Sequence, residues 1–247
     1  MNRYGLIGFP LTHSFSKKYF TEKFEQLNIS DSHCYELFEL EDYAQFPELL
    51  KNYSDLVGLN VTIPHKQNVL QFLDEIDPAA DRIGAVNVIK ISNGILKGYN
   101  SDYYGFSNSL KEAFITAGKS AKKALILGNG GAAKAVKVAL EDMGIGYKAV
   151  SRSPQKGSVS YEEAGDLIES HHLIINTTPL GTYPNPNACP DIRYDKLTEN
   201  HFLFDLVYNP AETLFMKNGA QKKATVLNGH RMLVLQAEKS WEIWNSL

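Results

Sequence analysis

Apolar and polar positions along this chain follow two rhythms, and the rhythms alternate. Residues 4–8 form a strand-length apolar run. After a loop rich in turn residues and hydroxyls, Phe20, Phe24 and Leu27 recur at helical spacing in a segment that Ser16 can cap. Residues 34–40 read as a strand, 43–52 as a helix and 56–63 as a strand, in which Leu59, Val61 and Ile63 alternate with Asn60 and Thr62; residues 69–73 add a short helix. This order predicts a mostly parallel sheet covered by helices. Residues 85–91 and 95–99 are strand-like and meet at Asn93-Gly94, which predicts an antiparallel hairpin at the edge of that sheet.

A helix through Phe106, Leu110 and Phe114, from residue 102 to a cap at Gly118, marks the passage to a second domain. Residues 124–127 are a short apolar run, and GNGGAAKA follows it before a helix through Ala135, Val138, Ala139 and Met143 that stops at Gly144. A strand, a glycine turn and a helix make a nucleotide-binding unit. Gly128, Gly130 and Ala133 match its fingerprint, with Asn129, Gly131 and Ala132 completing the turn and the helix start, whose unpaired N–H groups suit a diphosphate. The next strand, 147–150, ends in Ser151, Arg152 and Ser153. An acid there, about twenty residues past the first glycine, holds the ribose of NAD; this chain offers a cation and two hydroxyls instead, either for a 2′-phosphate or as a surface turn. Strands over 173–176, 203–207 and 224–227 continue the sheet, with Thr177 and Thr178 placed to touch a cofactor. The helix beyond Gly229 is apolar at Leu233, Val234, Ala237, Trp241 and Trp244 yet carries Gln236, which is either exposed or aimed at a polar group.

Composition narrows the function classes. At 247 residues, 43% hydrophobic and 21% charged, the chain has room for two domains and no run long enough to cross a bilayer. A net charge of −3 without a long basic run argues against nucleic acid, and the amino-terminal residues lack a signal peptide, so the expected address is cytoplasmic. Cys34 and Cys189 fit no redox or metal spacing, and the seven histidines form no paired ligand set, so no metal is expected. Lys66 stands out. Pro64 ends the strand before it and delivers His65 and Lys66 at a strand's carboxyl end, where open α/β sheets bind ligands; the plain alternative is one more solvated lysine.

Five separated segments, GFPLTHSFS (8–16), GLNVTIPHK (58–66), AVN with GYNSD (85–87 and 98–102), GNGGAAKA (128–135) and MLVLQA (232–237), together resemble the shikimate dehydrogenase family in content and order. The resemblance implies an α/β protein of two domains. Residues 1–101 and 229–247 would form a mostly parallel substrate domain, residues 102–228 a Rossmann domain for NADP, and the last helix would return to the first domain. It implies Lys66 and Asp102 as the catalytic pair, and Ser14, Ser16, Asn60, Thr62, Lys66, Asn87, Asp102, Tyr208 and Gln236 as contacts to shikimate or 3-dehydroshikimate. The cofactor set is Gly128, Asn129, Gly130, Gly131, Ala132, Ala133, Ser151, Arg152, Ser153, Thr177, Thr178 and Gly229. Shikimate carries one carboxylate and three hydroxyls, and a ring of that kind needs about this many polar partners. Asp102 also suits a helix amino terminus by charge alone.

The chain departs from the family pattern at Lys17, where proline is usual, at Thr182, where methionine is common, and in its short length. Two alternatives share most of the segments. An NAD-using quinate/shikimate dehydrogenase should carry an acid near Ser151, and a metabolite-sensing relative should have lost Lys66 or Asp102; neither expectation is met here. A monomer or a homodimer fits the sequence equally.

Overall fold

A computed structural model describes residues 1–11 and 14–246; Thr12 and His13, inside the segment 8–16, and Leu247 lie outside the described residues. The chain divides into two compact units, Met1–Ser101 with Ala237–Leu247, and Asp102–Gln236.

The first unit holds β1 (Asn2–Gly8), α1 (Phe15–Gln26), β2 (His33–Glu39), α2 (Phe46–Asn52), β3 (Leu56–Val61), β4 (Glu75–Ile76), α3 (Pro78–Ile83), β5 (Val88–Ser92) and β6 (Ile95–Tyr99). Its sheet has the order β2-β1-β3-β5-β6-β4. β1 runs parallel to β2 and β3, and the β5–β6 hairpin joins antiparallel to β3. Alternation along the strands sorts two cores. Ile7, Leu59, Val61 and Ile89 pack with Phe38, Phe46 and Val69 on one face. Tyr4, Leu6 and Val88 pack on the other with Phe20, Phe24, Ala237, Ile243 and Trp244.

Four local expectations are corrected here. The cap of α1 is Ser14, not Ser16: its backbone is extended and its hydroxyl accepts from the Lys17 amide at 3.1 Å, while Ser16 already lies in the first helical turn. The expected helix 43–52 splits into a 3-10 turn at Tyr43–Gln45 and α2, with Pro47 in its first turn, where its missing N–H costs nothing. The short helix at residues 69–73 is a 3-10 segment, Asn68–Phe72. The hairpin is not the edge, because β4 pairs parallel to β6 outside it.

The second unit contains α4 (Ser101–Ala117), which begins at the division, then β7 (Lys123–Leu127), α5 (Gly131–Asp142), β8 (Gly146–Val150), β9 (Ser158–Val159), α6 (Tyr161–Leu167), β10 (Leu173–Asn176), β11 (Phe202–Asp205), α7 (Leu214–Gln221), β12 (Thr225–Leu227) and the start of α8 (His230–Asn245). Its sheet is parallel throughout, in the order β9-β8-β7-β10-β11-β12. Read from β7 as first strand, this is the doubly wound dinucleotide-binding order, with the switch point between β7 and β10. Both faces are covered. Ala124, Ile126, Leu173, Ile175, Phe202 and Phe204 point to one core, and Leu125, Leu127, Ile174 and Leu203 to the other. Among the described residues no helix is long and apolar enough to cross a membrane, and no cluster of three metal-ligating side chains occurs.

Candidate functional site

In the second unit a cleft of about 650 Å³ opens at the switch point and runs along the carboxyl ends of β7, β8 and β10. Gly128 follows β7 at φ +106, a backbone that disfavours any side chain, and a Cβ there would lie 2.8 Å from the Thr177 hydroxyl oxygen. Thr177 is tied to the same place. Its amide and its hydroxyl both donate to the Leu127 carbonyl, at 3.0 and 2.8 Å. Gly128, Asn129, Gly130, Ser151, Arg152, Thr177 and Thr178 line the cleft together. Ser153 lies off the wall and serves the turn, donating its amide to the Ser151 hydroxyl at 3.2 Å. Gly131, Ala132 and Ala133 form the first turn of α5 behind the lining, and Gly229 packs against the Leu206 backbone, with its amide on the Val207 carbonyl at 3.1 Å.

Arg152 is exposed and makes no hydrogen bond or ion pair among the described residues, so its guanidinium is a cation in the cleft wall without a protein counter-ion. Across from it stand Tyr161 and Asp191, with Ser160 and Cys189. Burial pushes the Tyr161 phenol up, Arg152 pulls it down and Asp191 raises it further. Sequence reading missed these four residues. The available signal was the capping box that starts α6, in which Ser160 accepts from the Glu163 amide and Glu163 accepts from the Ser160 amide.

A buried carboxylate organises the loops that follow β10 and β11. Asp205 accepts from Asn176 Nδ2 at 2.9 Å, from the Val207 amide at 3.1 Å and from Thr213 Oγ1 at 2.5 Å. Asn176 in turn accepts from the amide and hydroxyl of Thr178 at 3.0 and 2.6 Å. The same network therefore fixes a cleft residue, Thr178, and the 206–213 loop that carries the exposed Tyr208. Burial raises the Asp205 carboxyl above its ordinary range despite these donors.

In the first unit the polar candidates gather where β1 and β3 end and β5 begins. Asn60 is buried; its Oδ1 accepts from the Tyr35 hydroxyl at 2.8 Å, and its Nδ2 donates to Ser240 Oγ at 3.0 Å and to the Asn87 carbonyl at 3.3 Å. Asn87 accepts the Ser101 amide at 2.7 Å and donates to Ser101 Oγ at 3.1 Å. These bonds use both N–H groups of Asn60 and one of the two on Asn87. Ser16 lies close enough to the Tyr35 phenol to oppose the rise that burial imposes on it, and that phenol bonds Asn60. The Lys66 turn is pinned on both sides. The buried His65 ring donates Nε2–H to the Leu40 carbonyl at 2.6 Å, and the Lys66 carbonyl accepts the Val86 amide at 2.8 Å. Thr62 is fixed by its amide on the Ile7 carbonyl at 2.9 Å. Lys66 is half-buried at that turn, and Asp102 is the acid in the first turn of α4, in the second unit. Gln236 is buried on α8, with Nε2 on the Leu233 carbonyl at 2.9 Å.

Residues 6–89 match the family model described as the shikimate dehydrogenase substrate binding domain. A shikimate dehydrogenase (NADP(+)) of Clostridium beijerinckii is 41% identical over 256 residues, covering 99% of this chain and 92% of that protein. Among solved structures, a chorismate mutase/shikimate 5-dehydrogenase fusion protein from Clostridium acetobutylicum aligns with a TM-score of 0.89 at 37% identity, over 100% of this chain and 92% of that one. Shikimate 5-dehydrogenase from Thermus thermophilus, in complex with NADP(H) and shikimate, aligns with a TM-score of 0.85 at 31% identity, over 100% and 94%. Because this likeness runs through both sheets and not the first alone, the chain belongs to the shikimate dehydrogenase family.

Proposed function

We propose that this protein is an NADP-dependent shikimate dehydrogenase, which reversibly reduces 3-dehydroshikimate to shikimate. The observation that carries the cofactor choice is Arg152 in the cleft wall, without a protein counter-ion and with no acid at the end of β8. That pairing suits a 2′-phosphate and leaves the ribose of NAD without its usual acceptor. The close approach of Gly128 to Thr177 supports a tight turn that brings the backbone up to a diphosphate, since a side chain on Gly128 would meet Thr177. Residues 1–101 with 229–247 are assigned as the substrate domain and 102–228 as the cofactor domain; the family match over 6–89 supports the first stretch, while residues 229–236 group with the second unit.

NADPH, when bound, supplies the hydride that adds to the ring carbonyl carbon. The Lys66 ammonium supplies the proton that the carbonyl oxygen takes up, so that the ketone becomes an alcohol with one hydride and one proton gained. Asp102 is assigned to orient that ammonium. Ser14 and Ser16 hold the ring carboxylate, while Asn60, Thr62, Asn87, Tyr208 and Gln236 hold the hydroxyls. The bonds that Asn60 and Asn87 make to Tyr35, Ser240 and Ser101 support this by fixing both amides before substrate arrives. The net charge of −3, without a long basic run, supports small molecules as partners rather than nucleic acid, and two unlinked cysteines agree with a cytoplasmic setting.

Initial rates with shikimate and with quinate, each against NADP and NAD, test the reading. Efficient turnover is expected for shikimate with NADP alone. Comparable efficiency with quinate, or with NAD, would overturn it.

A further inference from the structure

Lys137 lies two turns into α5, yet its ammonium reaches back past the helix start and donates to Oδ1 of Asn129, the residue before the cap, at 2.5 Å. A lysine ammonium has donors only, so the amide atom facing it is the oxygen and the Asn129 Nδ2 group is turned the other way. Asn129 sits in the glycine turn and lines the cleft, between Gly128 and Gly130. The arrangement places a cation at the amino-terminal end of a helix, where the macrodipole disfavours it. Lys134, on the same face, adds a second positive charge; burial and then Lys134 draw the Lys137 ammonium below its ordinary range, with Glu141 opposing them. A half-buried cation held in that place is compensated when an anion enters the turn.

We infer that Lys137 is a positioning residue for the dinucleotide: its ammonium fixes the Asn129 amide with the donor side toward the cleft and adds positive charge to the diphosphate subsite. The inference rests on the reading of this cleft as the cofactor site. It differs from that reading in its ligand atoms, because the diphosphate is common to NADP and NAD whereas Arg152 is assigned to the 2′-phosphate. Lys137 should therefore act on both cofactors alike.

The experiment measures dissociation constants of NADPH, NADH and 2′-AMP by fluorescence or calorimetric titration for wild type, Lys137→Met, Lys137→Arg and Asn129→Leu. Loss of one charge-assisted hydrogen bond predicts roughly a tenfold weakening of both NADPH and NADH in Lys137→Met and in Asn129→Leu. 2′-AMP, which has no 5′-phosphate to enter the diphosphate subsite, should change by less than about threefold, and Lys137→Arg should recover most of the affinity. A purely structural role would not spare 2′-AMP or be rescued by arginine. Unchanged NADPH and NADH constants in Lys137→Met would overturn the inference, and so would an equal loss for all three ligands. Wild-type protein that binds NADH but not NADPH would overturn the NADP assignment alone, with the NADH ratio still deciding Lys137; wild-type protein that binds neither would overturn both.

Discussion

The indole of Trp244 fills the space that a side chain on Gly58 would need: a Cβ there would lie 2.4 Å from both Cδ1 and Nε1 of the ring. The same Nε1–H donates to the Ile89 carbonyl at 3.0 Å, so the ring has no easy way to retreat. Gly58→Ala should cost about 1 to 3 kcal/mol by overpacking. The urea midpoint, with tryptophan emission as the probe, measures it, and the combination with Trp244→Leu should be less than additive. Additive losses would mean that the two residues do not compete for this space.

Arg152→Ala should weaken NADP by roughly tenfold to a hundredfold and leave NAD almost unchanged, since a charged hydrogen bond contributes about 1.5 to 3 kcal/mol. Titration of both cofactors decides it. Equal losses would show that Arg152 supports the fold of the cleft instead of reading the phosphate.

Lys66→Met keeps much of the side chain's length and removes its charge and proton. If Lys66 delivers the proton in the transition state, the single-turnover rate at saturating substrate should fall by roughly a hundredfold to ten-thousandfold, with NADP affinity near wild type. A preserved rate with a higher substrate requirement would reduce Lys66 to a binding group.

Asp205 predicts a dependence of stability on pH. Burial raises its carboxyl, so the folded protein keeps that proton to higher pH than the unfolded chain does. The stability tied to the protonated group is complete below the unfolded value, 3.8, and is lost as pH rises through the folded one. Asp205→Asn keeps an oxygen for Asn176 and Val207 without an ionisable proton. Its urea midpoint relative to wild type should therefore improve as pH rises above the unfolded value. A relative loss over that interval would show that the charge is a net stabiliser.

Much of this architecture was legible in the sequence because it rests on local signals. The strand, glycine turn and helix around Gly128 need only neighbours in the chain, and so does the Asn93-Gly94 hairpin. Ser14 and Ser16 were harder to separate, because both hydroxyls precede the same apolar stripe and only the backbone angles decide which one caps. β4 has two residues and α3 six, too short for periodicity to register. The unread parts of the site depend on distant pairs. Asn60 meets Ser240 across 180 positions, and Asp205 meets Asn176 across 29. Lys137 was near enough to be noticed, eight residues from Asn129, but a lysine inside an amphipathic helix looks like any solvated one.

The first unit is assembled from two stretches of chain, with Asp102–Gln236 lying between them. Its second core is completed by Ala237, Ile243 and Trp244, and its Asn60 by Ser240. During synthesis, the nascent amino-terminal sheet must therefore wait, with the face that will receive Trp244 unfilled, while the whole second unit leaves the ribosome. The continuous unit is free to mature first, although it is made later. A chain stopped at residue 236 should keep a protease-resistant second unit and lose the first, and pulse-labelled translation followed by limited digestion would show the two maturing in the reverse of their order in the sequence.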